Sequence, residues 1–150
     1  MSLQETINAD LKAAMLAKNE VKVRGLRAIK AALLLAATEK GAAEGLGSDT
    51  EMKVLQKLVK QRKESAEIYQ QQNRQDLYQI EKEEQEVIEQ YLPQQLDSDE
   101  IARELEKIIA SVGASSIKDM GKVMGIANKA LAGRADGKTV SELVKKLLNK

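Results

Sequence analysis

Apolar residues recur along this chain of 150 residues at intervals of three and four, the period of one helix face, and no β-branched run alternates as a strand would. The first stripe is Leu3, Ile7, Leu11 and Met15. Ser2 and Glu5 stand at capping-box spacing at its start, and Asn19 is a natural break after it. Val23, Leu26, Ile29 and Leu33 predict a second helix that runs into the Ala-rich stretch before Gly41. Three glycines in residues 41–47 predict a flexible link, and Ser48 with Glu51 supplies a second capping pair. The long helix that follows points Leu55, Leu58, Val59, Ala66 and Tyr69 inward, and Asn73, which tolerates left-handed backbone, turns the chain. A fourth helix over about residues 75–91 carries Leu77, Ile80, Val87, Ile88 and Tyr91 on its apolar face.

The single proline, Pro93, biases Leu92 away from helical geometry and removes a backbone donor, so a domain boundary is expected between residues 1–92 and 93–150. Beyond it, Asp97 and Glu100 form a third capping pair, with Leu96 and Ile101 placed as a hydrophobic staple. This helix ends at Gly113. Ser115 or Ser116 starts the next, whose inner face is Met120, Val123, Met124, Ala127 and Leu131, and Gly133 closes it. Asp136 caps a last helix that buries Val140, Leu143, Val144, Leu147 and Leu148. The expectation is an all-α fold of about seven helices in two lobes, a four-helix N-terminal bundle and a three-helix C-terminal subdomain.

Composition narrows the chemistry. There is no His, Cys, Trp or Phe, and the only aromatic residues are Tyr69, Tyr78 and Tyr91. The commonest general base, the best thiol nucleophile and the usual zinc and copper ligands are therefore missing. No phosphate loop, dinucleotide fingerprint or nucleophile elbow occurs. The five acids in residues 81–89 are scattered around a helix and close no ligand loop for a hard cation. No catalytic residue, cofactor or metal is predicted; the chain is built to hold something rather than to transform it.

No apolar run approaches the ~20 residues that span a bilayer, so no membrane partner is expected. The N-terminal residues Met1, Ser2, Leu3, Gln4 and Glu5 lack a secretory signal's basic and apolar regions, and the absence of cysteine suits a reducing compartment. A cytoplasmic location is the expectation.

Net charge is only +1, but the charges are segregated. Residues 118–150 hold eight Lys or Arg against three acids, residues 53–63 five basic residues and no acid, and residues 81–89 five acids and one Lys. Such separation suits an electrostatically steered contact. Arg24 and Arg27 lie near the buried stripe of the second helix and read as structural, either covering the bundle with their stems or pairing with an acid across it.

The sharpest constellation lies on the sixth helix. Lys118, Lys122, Gly125 and Lys129 step by four, three and four residues and so share one face, with Gly121 one turn before Gly125. A glycine inside a helix costs about 0.5–1 kcal/mol against alanine, so two of them imply that something must approach the backbone closely. A nucleic-acid phosphate backbone would suit the lysines, and Arg134 and Lys138 could extend the surface. The plainer alternative is a neighbouring helix packed on Gly121 and Gly125, with the lysines solvated.

Four motifs, Lys60-Gln61-Arg62-Lys63-Glu64-Ser65, Tyr91-Leu92-Pro93-Gln94-Gln95-Leu96, Asp119-Met120-Gly121-Lys122-Val123-Met124-Gly125 and Ala135-Asp136-Gly137-Lys138, resemble the YqeY-like family nearly end to end. That family is similar to the C-terminal tail of the B subunit of bacterial glutamyl/aspartyl-tRNA amidotransferase. The resemblance implies two helical lobes and a tail that helps to hold tRNA; the kinase cradle and the amidase of that enzyme have no counterpart here. A carbon–nitrogen ligase label with glutamine as amido donor would reach this chain by association. Carried over by position, the RNA-facing segment falls on Gly121, Lys122 and Gly125.

The leading expectation is a non-catalytic module for tRNA or other structured RNA, contacted through Lys118, Gly121, Lys122, Gly125, Lys129, Arg134 and Lys138. Single strands are disfavoured because aromatic stackers are missing. The alternative is a protein-interaction adaptor that joins amidotransferase subunits or another translation factor through apolar helix faces.

Overall fold

A computed structural model describes residues 2–39 and 46–149. Among them are seven α-helices and no strand: α1 (Leu3–Leu16), α2 (Glu20–Glu39), α3 (Ser48–Gln71), α4 (Gln75–Glu89), α5 (Ser98–Val112), α6 (Met120–Ala130) and α7 (Gly137–Leu148), with a short 3-10 turn at Ile117–Asp119. The fold is all-α, as the periodicity predicts. Residues 41–45 of the expected link lie outside the described residues. Contacts group the chain into two units, Met1–Leu92 and Pro93–Lys150, each with its own apolar cluster.

In the first unit α1 starts where Ser2 Oγ accepts the Glu5 N–H at 3.2 Å, and Asn19 Oδ1 accepts from Lys22 N at 3.1 Å to start α2. Lys18 and Asn73 take left-handed backbone at the two tight turns, with φ of 57° and 58°. Ser48 is not a cap: α3 begins on it, and Gly47, which has no side chain to offer, stands at the N-cap. The core joins Ile7, Leu11, Leu26, Ile29, Leu33, Leu55, Val59, Val87 and Ile88. Each such side chain contributes about 1.5–3 kcal/mol relative to exposure.

Three details depart from the expected faces. Ala14 rather than Met15 is buried on α1, Ile80 of α4 is exposed, and α4 stops at Glu89 instead of reaching Tyr91. Tyr91 lies beyond the helix and donates its hydroxyl to Asp10 Oδ2 at 2.6 Å. Burial and that carboxylate together push the Tyr91 hydroxyl far above its usual pKa. Arg24 Nη2 pairs with Glu83 Oε2 at 3.0 Å, tying α2 to α4, so its structural reading holds; Arg27 is exposed.

In the second unit both halves of the α5 capping box form, with Glu100 N donating to Asp97 Oδ1 at 2.8 Å and Asp97 N to Glu100 Oε1 at 3.2 Å. Gly113 ends α5 in the left-handed region, at φ 66°. Leu96 N donates to Arg134 O at 2.9 Å, and Gln95 Nε2 donates to Gly133 O at 2.6 Å. The segment after Pro93 thereby clamps the turn between α6 and α7. Behind that clamp Ile101, Leu105, Val123, Ala127, Leu131, Val140, Val144 and Leu148 close the core.

Candidate functional site

The helix that carries the candidate site is short and held from one side. Val123 and Ala127 of α6 are fully buried, and Met120 and Met124 pack beside them. With its apolar stripe turned inward, α6 must present the opposite face to solvent. That face carries Gly121, Lys122, Gly125, Ile126, Lys129 and Ala130, which line one shallow, open groove.

Among the described residues, a Cβ built on Gly121 or on Gly125 would meet no atom within 4 Å beyond its chain neighbours and its own helix backbone. The plainer alternative, a neighbouring helix packed against these glycines, is not found among the described helices of the second unit. The two positions are bare backbone facing outward, flanked by the exposed Lys122 and Lys129. Lys129 lies in the last turn of α6, where its charge also complements the helix dipole.

Lys118 departs from the expected helical stripe. The chain between α5 and α6 tightens into a 3-10 turn because Ser116 Oγ accepts the Lys118 N–H at 3.4 Å, while Asp119 Oδ2 accepts from Ser115 N at 3.0 Å and Ser116 N at 3.4 Å. α6 starts only at Met120, so Lys118 precedes the helix and does not line the groove. The same two N–H groups hold the Asp119 carboxyl below its usual range, with the Lys122 ammonium adding to the effect. A carboxylate thus sits beside the lysines and reduces the local positive charge.

Arg134 and Lys138 are exposed at the turn before α7 and in its first turn, outside the groove lining. Of the seven predicted positions, the structure brings Gly121, Lys122, Gly125 and Lys129 together and leaves Lys118, Arg134 and Lys138 apart from them. It adds Ile126 and Ala130, which sequence reasoning passed over. Ile126 stands one turn after Lys122, and that spacing was the available signal. Chemically the groove offers two ammonium groups, a small apolar floor and main chain unshielded by side chains.

The profile of a family described as "Yqey-like protein" matches residues 4–148. The chain is also 40% identical over 94 residues, 61% of its length, to "Altered inheritance of mitochondria protein 41, mitochondrial" of Clavispora lusitaniae (strain ATCC 42720). The matched region is 52% of that relative, so this chain spans about half of the curated protein it resembles.

Proposed function

We propose that this chain, which belongs to the YqeY-like family, is a non-catalytic module that binds tRNA or similarly folded RNA on the outer face of α6. The observation that carries the reading is the open space over Gly121 and Gly125 beside Lys122 and Lys129. Missing side chains there let a sugar-phosphate backbone come closer to the helix than any other residue would allow. The lysines supply the point charges that such a backbone requires.

Lys118, Arg134 and Lys138 would meet phosphates at the margins of the same unit. Such contacts position an RNA without reading its bases, so recognition would rest on shape and on the 2′-hydroxyls. The resemblance to an amidotransferase tail favours tRNA within that class. Amidotransferase subunits or another translation factor are the rival partners, and a nuclease-resistant pulldown would favour them. We place this activity in the cytoplasm, in keeping with the cysteine-free composition.

A salt titration of the purified protein against bulk tRNA tests the reading. Affinity should fall with salt by about one logarithmic unit of slope per phosphate contact. Absence of binding at low salt would remove the proposal.

A further inference from the structure

The first unit carries a second surface that RNA binding does not use. Between α1 and α2 run two adjoining hollows that share Asn8 and Lys30, forming one groove along the helix pair. Its apolar walls include Met15, Leu16 and Leu34, which stay 52%, 78% and 61% exposed although each is a large aliphatic side chain. Three large aliphatic side chains left open along one groove are the kind of surface a contact site presents.

Charge says what the contact should be. Lys12 and Lys30 line the groove, no acid does, and neither lysine has a carboxylate partner among the described residues. Asp10, the nearest acid in sequence to Lys12, is engaged by the Tyr91 hydroxyl. The α1 wall is 14 residues long, about 21 Å at the usual helical rise. A strip of that length between two helices matches a partner helix, whose contacts read as apolar anchors at i, i+4 and i+7.

We propose that the α1–α2 groove is a docking site for an acidic amphipathic helix of a partner protein. Leucine-like anchors cover Met15, Leu16 and Leu34, and flanking carboxylates meet Lys12 and Lys30. A second copy presenting the same face would set Lys12 and Lys30 against themselves, which like charges oppose. The chain's own acid-rich helix, α4, is occupied in the bundle through Val87 and Ile88. RNA would gain little from exposed aliphatic side chains.

The test is a displayed library of 15-residue amphipathic helices with free choice of charge at the flanking positions. It is selected on the full chain and counter-selected on a Lys30→Glu/Leu34→Glu variant whose helicity is verified by circular dichroism. The expected result is enrichment of acidic helices whose affinity falls by about tenfold or more on the variant, a typical anchor loss. Leu16→Glu, at a still more exposed position, should reproduce that loss.

Enrichment of basic or charge-indifferent helices, or of none that distinguishes the variant, would overturn the proposal. So would phosphatidylcholine–phosphatidylserine vesicles that sediment the wild type and not the variant, because the groove would then be a membrane contact. A dimer in analytical ultracentrifugation that the variant abolishes would assign the groove to a second copy instead.

Discussion

A Cβ added to Gly25 would stand 2.5 Å from Cγ1 of Val87, so α2 and α4 touch through the one position on α2 that has no side chain. A helix surface without a side chain lets its neighbour sink in, and Val87 fills that space while Ile88 enters the core beside it. Gly121 and Gly125 are helical glycines of the opposite kind, with nothing above them.

The contrast gives a stability prediction with two signs. Gly25→Ala should destabilise by about 1–3 kcal/mol, as overpacking in a rigid core does, and Val87→Ala in the same chain should recover part of that loss. Gly125→Ala should stabilise by about 0.5–1 kcal/mol through helix propensity, and Gly121→Ala, in the first turn of α6, by less, since no contact with another element is disturbed. Thermal unfolding of the four variants checks both signs. If Gly125→Ala were as damaging as Gly25→Ala, the open face of α6 would be wrong.

The same opening makes a larger side chain informative about ligand binding. Gly125→Leu should fold normally and lose tRNA affinity, because the leucine would occupy the space reserved for the ligand. Lys122→Glu with Lys129→Glu should abolish binding at low salt and lower the melting temperature only slightly, through the reversed charges beside Asp119 and at the end of α6, both residues being exposed. Filter binding beside circular dichroism separates the outcomes. Unfolding of the double variant would make those lysines structural.

Tyr91 and Asp10 offer a test of how the segment before Pro93 is anchored. Their 2.6 Å hydrogen bond joins α1 to the chain just beyond α4. Tyr91→Phe should cost about 1–2 kcal/mol, the range for a charge-assisted bond that is partly solvated. A cycle with Asp10→Asn should show that the two effects are not additive.

The first unit also contains a carboxyl that opposes folding at neutral pH. Burial holds the Glu81 carboxyl above its ordinary value of 4.5, and Glu84 adds to the rise while Arg62 works against it. A raised folded-state pKa means that the folded chain binds the extra proton, so this group's contribution to stability declines as pH rises from the unfolded value through the folded one. Glu81→Gln should therefore raise the melting temperature at pH 7. The gain should vanish below about pH 3.5, where the carboxyl is protonated in both states. Denaturation curves at the two pH values check it; an equal gain at both would assign the effect to packing.

Much of this architecture was legible because helix faces and caps are local. Leu26, Ile29 and Leu33, and likewise Val140, Val144 and Leu148, are buried where their spacing places them. Asp97 with Glu100 forms its capping box, and Asn73 takes its left-handed turn. Ser48 fails as a cap because helix entry depends on the backbone of Gly47, which spacing does not reveal. Met15 and Ile80 stay exposed because the neighbouring helices do not cover those ends of the stripes.

Sequence alone determined the all-α class, the helix order, most of the core and the family, since those follow from period, capping chemistry and motifs read within a few turns. Tertiary structure decided which glycines are filled and which are bare, and which aliphatic residues find no cover among the described residues. A glycine reads identically in one dimension whether a valine or empty space lies above it. Only the packing of helices distant in sequence distinguishes the two.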